Sequence, residues 1–150
     1  MFAIASCAKK NDQCNFLDSK TVAPDSEVNA VHAYVSSLGL NALQDPSGFF
    51  YKIKAQGTGQ EIANLCTNVT VKYKGRLTNG TIFDSTATNN TATFQLGQVI
   101  VGWQKGLPLI STGGSITLFV PPSLAYGANQ SGPIPPNSIL VFDIDLVGVK

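Results

Sequence analysis

The stretch F-Q-L-G-Q-V-I-V-G-W, from Phe94 to Trp103, decides the fold because it places six apolar side chains within ten residues. Gly97, after Phe94 and Leu96, indicates the end of a short strand, and a helix is predicted to start near Val101 and to close at residues 112–114. This helix contains the chain's only tryptophan. A helix with so many apolar residues must be buried against another element, and a strongly twisted sheet usually provides that surface. The tryptophan is then either the base of an apolar cup with a free ring face or an ordinary core residue.

Length and composition limit the possible functions. At 150 residues the chain fits one domain with an appendage, and 43% of its residues are hydrophobic. The net charge is +1 and only 13% of residues are charged, so we predict neither nucleic acid nor an acidic membrane as an electrostatic partner. No apolar run reaches the roughly 18 residues that span a bilayer. The three cysteines form no C-x-x-C pair and there is one histidine, so we predict no metal site and no cofactor.

Alternating and turn-rich segments predict an antiparallel sheet. Between Asn68 and Gly75, apolar residues at positions 69, 71 and 73 alternate with polar ones, as in a half-buried strand. Asn79-Gly80 is a hairpin signal because these residues tolerate the positive φ angles of a tight turn. Similar patterns predict strands at residues 49–55, 82–85, 115–120 and 139–149. The inventory is five or six antiparallel strands, one short helix in their concavity and one helix outside.

The N-terminal part of the chain is predicted to contain an arm followed by a helix. Residues 1–23 are polar without sustained periodicity, and residues 24–45 form the helix and a linker to the main domain at 46–150. The helix starts at Pro24 and stops at Gly39. We favour docking of this helix on the domain over a role in dimerisation. Its apolar stripe consists of Val28, Val31, Tyr34, Val35 and Leu38.

The cysteines bear on the compartment in which the protein is located. In an oxidising compartment Cys14 and Cys66 could join the arm to the first long strand, and the alternative is that both are free thiols. The segment Ile4-Ala5-Ser6-Cys7 resembles a bacterial lipoprotein cleavage box, although only six residues precede Cys7 and they include no basic region. The predicted location is therefore the periplasm or the outer membrane, tethered only through a lipid on Cys7, and a cytoplasmic location stays open.

Four blocks in the same order resemble one enzyme family. They are V-K-Y-K-G-R-L-T-N-G-T-I-F-D-S (71–85), V-I-V-G-W (99–103), L-A-Y-G-A (124–128) and I-P-P-N-S-I-L-V-F-D-I-D-L (134–146). Together they closely resemble the FKBP-type peptidyl-prolyl cis–trans isomerases over residues 49–150. The entry to this region and the preceding helix resemble the exported bacterial branch, with lipoproteins of Bacteroidetes-like organisms as the narrower placement. The resemblance implies an α+β fold, in which a twisted antiparallel half-barrel wraps around one short α-helix, with an additional N-terminal helix.

The resemblance also implies an aromatic pocket for a proline ring. Trp103 would be its floor, and Tyr126 and the backbone N–H of Ile100 would donate hydrogen bonds to substrate carbonyls. The implied catalytic residues are Asp84, Tyr126, Phe83 and Trp103, and the implied substrate-binding residues are Tyr73, Val99, Ile100, Ile134 and Phe142. The sequence departs from the family pattern at Ala92, where the family often has an aromatic residue, and at residues 129–132, where it often has a histidine. These departures put substrate preference and affinity for macrolide inhibitors in doubt.

The reaction implied by the resemblance requires no nucleophile or metal. Rotation about an Xaa–Pro amide has a barrier of about 18–20 kcal/mol because it breaks amide resonance. An apolar pocket disfavours the polar planar amide relative to the twisted one. The expected function is thus prolyl isomerisation in unfolded or folding polypeptides. The alternative is a binding module or holdase chaperone with incidental turnover, and the protein could be a monomer or a homodimer.

Overall fold

The computed structural model describes residues 14–150, so the predicted lipoprotein box and most of the predicted arm lie outside the described residues. The helices within this range are α1 (Asp25–Ser37) and α2 (Val101–Gly106). The strands are β1 (Leu43–Gln44), β2 (Phe50–Ala55), β3 (Asn68–Leu77), β4 (Ile82–Ser85), β5 (Ala92–Gln95), β6 (Ser115–Val120) and β7 (Leu140–Val149). Short 3₁₀ turns occupy Leu96–Gln98, Leu107–Leu109 and Pro122–Leu124.

All these strands join one antiparallel sheet. Their order is β1-β2-β6-β7-β3-β4, and β5 pairs with the other end of β3. The two ends of this order do not meet, so the sheet is open rather than a closed barrel. In the register, Gly75 of β3 lies opposite both Phe142 of β7 and Asp84 of β4. The predicted α+β class, with a short helix and an N-terminal helix added to an antiparallel sheet, is confirmed.

Helix α2 packs closely on the inner face of the sheet. A Cβ added at Gly102 would lie 2.6 Å from Val120 Cγ1, and one added at Gly106 would lie 2.6 Å from Leu118 Cδ2. Because real carbon atoms do not approach so closely, these two positions, one helical turn apart, admit only glycine without rearrangement of β6. The same face buries alternate residues of β7, as their spacing predicts. These residues are Leu140, Phe142, Ile144 and Leu146.

Helix α1 packs on the outer face of the sheet. Its buried residues Val31 and Val35 form a separate apolar cluster with Phe50 of β2, Phe119 of β6 and Val141 of β7. Val141 points away from the inner face and would be exposed without this helix, yet it is fully buried. Docking on the domain, the favoured expectation, is therefore what the structure shows. The last residue of the predicted apolar stripe does not take part in this docking, because Leu38 follows the helix and is half exposed.

The segment before α1 is attached to the body of the protein. Cys14 and Cys66 form a disulfide with their Cα atoms 5.7 Å apart, which decides between the two states left open by the sequence. The ring of Phe16 lies directly on the backbone of Gly97, where an added Cβ would meet ring atoms at 2.4 Å. Further along, the backbone N–H of Ala23 donates to the carbonyl of Ser47 at 2.8 Å. Residues 14–23, predicted to be part of an arm or linker, are thus held at several points.

Two elements differ from the predictions. Strand β1 has only two residues, both exposed, so it leaves no alternation to detect. Helix α2 ends at Gly106 rather than near residue 112, and a 3₁₀ turn containing Pro108 follows it. Proline has no N–H and cannot continue an α-helical ladder, which explains the early end. Among residues 14–150, no helix combines the length and apolar character that crossing a membrane requires.

Candidate active site

A cleft of about 290 Å³ opens where α2, the inner face of the sheet and the loop after β6 meet. Five of its lining residues are aromatic rings from β3, β4, β5, α2 and β7, and a sixth comes from the loop. Such a site, mostly apolar with a few polar groups, is typical of small-ligand and peptide pockets. The lining residues are Tyr73, Phe83, Asp84, Phe94, Gln98, Val99, Ile100, Trp103, Tyr126 and Phe142.

Trp103 forms the floor of the cleft. It lies in the first turn of α2 and is only 4% exposed. Three rings stand nearly perpendicular to the indole, with centroids 5.2 Å away for Tyr73, 5.8 Å for Phe94 and 5.4 Å for Phe142. Edge-to-face pairs at these distances are favourable and fix the orientation of the indole. The buried indole N–H has no hydrogen-bond partner among the described residues.

One wall of the cleft depends on a residue without a side chain. Phe83 and Phe142 pack edge to face at 5.6 Å, and both rings lie over Gly75. A Cβ added at Gly75 would lie 2.6 Å from Phe83 Cζ and 2.8 Å from Phe142 Cε1. The glycine therefore provides the space in which the two rings meet. Gly75 belongs to the V-K-Y-K-G motif that carries the family resemblance, but its role in the wall was not predicted.

A hydrogen bond joins the two polar residues on the sheet side of the cleft. The phenol of Tyr73 donates to Asp84 Oδ2 at 2.5 Å. Burial of the phenol, with the hydrogen bond and negative charge of Asp84, raises the pKa of Tyr73 well above its ordinary value. Tyr73 thus stays protonated at physiological pH and holds the carboxylate in a fixed orientation. Asp84 keeps its remaining acceptor positions for other donors in the cleft.

The rim between β5 and α2 is braced by hydrogen bonds. The side-chain amide of Gln104 donates to the carbonyl oxygens of Gly97 at 3.2 Å and Val99 at 2.9 Å. Ile100 precedes the helix, and its carbonyl accepts from the backbone N–H of Trp103 at 3.0 Å. Within the described part of the chain, the backbone N–H of Ile100 has no hydrogen-bond acceptor. This N–H is available to a ligand carbonyl, as the resemblance implies.

Tyr126 lies on the loop side of the cleft. It follows the 3₁₀ turn at Pro122–Leu124 and is 41% exposed, so burial alone does not fix its side chain. Gly127 has a φ of +62°, a left-handed conformation that glycine adopts at little cost and that turns the chain sharply after the tyrosine. The loop thereby places a phenol at the mouth of the cleft, opposite the strand residues.

The structure brings the predicted site residues together with one difference. Eight of the nine line the cleft, whereas Ile134 is 5% exposed, belongs to the main core and is not part of the lining. Two lining residues, Phe94 and Gln98, were not predicted as site residues. Phe94 was identified as part of an apolar strand end, and the alternation of β5, in which Phe94 is partly buried and Thr93 exposed, could have indicated it. Gln98 has no pattern that distinguishes it from other exposed amides.

Outside the cleft, a cluster of charged residues lies on the outer face of the sheet. Asp143 pairs with Arg76 and, at 3.5 Å, with Lys54, and it accepts a hydrogen bond from Thr117 at 2.7 Å. Burial opposes ionisation, but the hydrogen bonds from Thr117 and Arg76 and the two positive charges lower the pKa of Asp143 below its ordinary value. Among residues 14–150, no three His, Cys, Asp or Glu residues form a group that could hold a metal ion.

Comparison with known proteins identifies the family. A model of the FKBP-type peptidyl-prolyl cis-trans isomerases matches residues 59–147, more than half of the chain. The chain belongs to this family. Among curated relatives, it is 49% identical over 105 residues to "FKBP-type peptidyl-prolyl cis-trans isomerase FkpA" of Buchnera aphidicola subsp. Schizaphis graminum, covering 69% of this chain and 42% of the relative. It is also 49% identical over 107 residues to "Outer membrane protein MIP" of Legionella longbeachae, covering 70% and 46%.

Solved structures of the family share the fold. The crystal structure of FkpA from Escherichia coli matches with a TM-score of 0.74 at 36% identity, covering 83% of this chain and 60% of that chain. A peptidyl-prolyl cis-trans isomerase from Pseudomonas syringae matches with a TM-score of 0.71 at 31% identity, covering 87% and 98%. The chain spans less than half the length of the two curated relatives above. The narrower placement among Bacteroidetes-like lipoproteins stays a prediction.

Proposed function

We propose that this chain is a peptidyl-prolyl cis–trans isomerase acting on Xaa–Pro bonds of unfolded or folding polypeptides. The observation that supports it best is the cleft itself, in which Trp103 forms a buried floor under a ring of aromatic side chains. Proline is the only residue whose side chain is a compact apolar ring joined to the backbone nitrogen. A flat indole floor with perpendicular aromatic walls matches that shape and leaves the preceding amide at the mouth of the cleft.

The proposed mechanism uses binding and exclusion of water. The planar amide is stabilised by resonance that places negative charge on its oxygen, and the twisted amide is less polarised. An aromatic cleft therefore favours the twisted form relative to the planar one. Tyr126 and the backbone N–H of Ile100 would hold substrate carbonyls, while Asp84, oriented by Tyr73, would face the rotating amide. Phe83, Phe142 and Val99 would enclose the proline ring, and the unpredicted Phe94 would complete the wall beside Trp103.

The proposal is tested by measuring exchange at Xaa–Pro bonds of tetrapeptides, by protease-coupled assay or by NMR. Trp103→Leu should lower kcat/KM by about tenfold or more, equivalent to about 1.4 kcal/mol of transition-state stabilisation, because it removes the floor. Lys52→Ala, at an exposed position on β2, is the matched control and should leave the rate unchanged. A wild-type protein that binds the peptides but does not accelerate exchange would refute the isomerase proposal and favour a binding module.

The location and partners are proposals as well. The Cys14–Cys66 disulfide supports an oxidising compartment, since such bonds are rare in a reducing cytosol. One relative is named an outer membrane protein, which agrees with export. We propose residues 46–150 as the isomerase unit and proline-containing polypeptides as its substrates, with macrolide compounds as candidate inhibitors. Attachment through a lipid on Cys7 and the choice between monomer and homodimer stay predictions.

A further inference from the structure

Helix α1 makes a direct polar contact with the loop that contains Tyr126. Glu27, in the first turn of α1, accepts two hydrogen bonds from Ser123, one from its backbone N–H at 2.8 Å and one from its hydroxyl at 2.7 Å. The two residues are 96 positions apart in sequence, and both are partly buried. Hydrogen bonds to an ionised acceptor are shorter and stronger than neutral ones, and this pair engages both carboxylate oxygens. The contact therefore fixes the position of Ser123 relative to α1.

The position of Ser123 is transmitted to Tyr126 through a short, hydrogen-bonded turn. Ser123 is the middle residue of the 3₁₀ turn that ends two residues before Tyr126. The carbonyl of Pro122 accepts from the backbone N–H groups of Ala125 at 2.9 Å and Gly127 at 2.8 Å, so it brackets the tyrosine on both sides. Because the Tyr126 side chain is 41% exposed, its place at the cleft depends on this backbone more than on packing.

Helix α1 is held on the domain by contacts that do not involve the Tyr126 loop. Val31 and Val35 hold α1 on the outer face of the sheet, in a cluster distinct from the core that surrounds the cleft. Glu27 lies outside the region matched by the family model, residues 59–147, whereas Ser123 and Tyr126 lie within it. The first turn of the helix that precedes the isomerase region thus contacts a residue just after the end of β6, beside the site.

We propose that Glu27 is a positioning residue for the isomerase site, acting through Ser123 to hold the Tyr126 loop in its ligand-binding arrangement. The proposal rests on the proposed function, in which the Tyr126 phenol holds a substrate carbonyl. A residue that only positions this donor affects substrate and transition state alike. Its loss should raise KM with little change in kcat.

The test compares Glu27→Ala, Glu27→Gln and the control Asp25→Ala in the Xaa–Pro exchange assay. Glu27→Ala should raise KM by about three- to tenfold with kcat within about twofold. Glu27→Gln should stay near wild type, because its amide oxygen can accept from the Ser123 N–H while its NH₂ donates to the hydroxyl. Asp25 is an exposed acidic residue of the same helical turn, and no hydrogen bond joins it to the loop among the described residues. Its replacement should leave KM unchanged.

A double-mutant cycle with Tyr126→Phe separates positioning from general stability. If Glu27 acts through the phenol, Glu27→Ala should have almost no additional effect on KM in the Tyr126→Phe background. Hydrogen exchange of the Ser123 amide should also be faster in Glu27→Ala than in Asp25→Ala. Additive KM effects, an unchanged KM in Glu27→Ala, or a loss in Glu27→Gln equal to that in Glu27→Ala would overturn the inference. Absence of isomerase activity in the wild type would instead refute the proposed function.

Discussion

Gly75→Ala tests whether the space between two rings sets the activity of the cleft. The added methyl group would lie 2.6 Å from Phe83 Cζ and 2.8 Å from Phe142 Cε1, against the roughly 3.5–4.0 Å at which carbon atoms attract. Each ring would have to retreat by about 1 Å. Because Gly75 has neither a positive φ nor a position in a turn, alanine is compatible with its backbone. The steric conflict with the rings is therefore the main perturbation of the folded state.

The expected cost has two parts that can be measured separately. Overpacking a well-filled core by one methyl group typically costs about 1–3 kcal/mol of the free energy of unfolding. Neither ring can retreat without displacing its neighbours, since Phe83 packs edge to face on Phe142, which in turn packs on Trp103. A displacement of about 1 Å at a positioned site is enough to lower kcat/KM by about tenfold or more. We expect both losses together.

The measurements are chemical denaturation for stability and the Xaa–Pro exchange assay for kcat/KM. Gly148→Ala is the matched control, because it lies in a strand of the same sheet and an added Cβ there would meet only Thr70 Cβ, at 4.0 Å. This control should keep both stability and activity. If Gly75→Ala retained full kcat/KM and stability, or if the control lost as much, the proposed dependence of the wall on this glycine would be wrong.

Two further predictions concern stability. The disulfide joins Cys14 and Cys66, which are 52 positions apart, and in the loop-entropy model it raises the free energy of the unfolded chain by about 4 kcal/mol. Reduction or a double Cys→Ser variant should therefore lower Tm clearly. An equal Tm with and without reductant would contradict this. The pKa of Asp143 is lowered in the folded protein, so its contribution to stability is present above the ordinary value of 3.8 and is lost as pH falls through the folded value. Asp143→Asn should therefore be less stable than wild type near pH 7, by about 1 kcal/mol at this partly exposed site, and the gap should narrow in acid. Denaturation curves at pH 7 and pH 3 test this, and a gap that stayed constant or widened in acid would count against it.

Much of the fold was accessible from the sequence because it rests on local periodicity. Alternation in β3, β6 and β7 depends only on which residues face a core, and a period of two is visible within a few positions. The bounds predicted for residues 82–85 and 115–120 agree with β4 and β6. The ordered blocks also placed eight of the nine predicted residues in one cleft. These features are encoded over short stretches of chain.

Other features exist only after distant segments have packed. Neither Gly75 nor Glu27 has a local pattern that distinguishes it. Gly75 matters because two rings from other strands meet over it. Glu27 matters because α1, docked on the outer face, brings it to Ser123. Val141 is similar, because alternation assigns it to the exposed face and only the docking of α1 buries it. The sequence by itself determined the strands other than β1, the start of the short helix and the family of the site. Tertiary structure alone decided which side chains share a space, because register and packing between segments far apart are not expressed in the periodicity of either one.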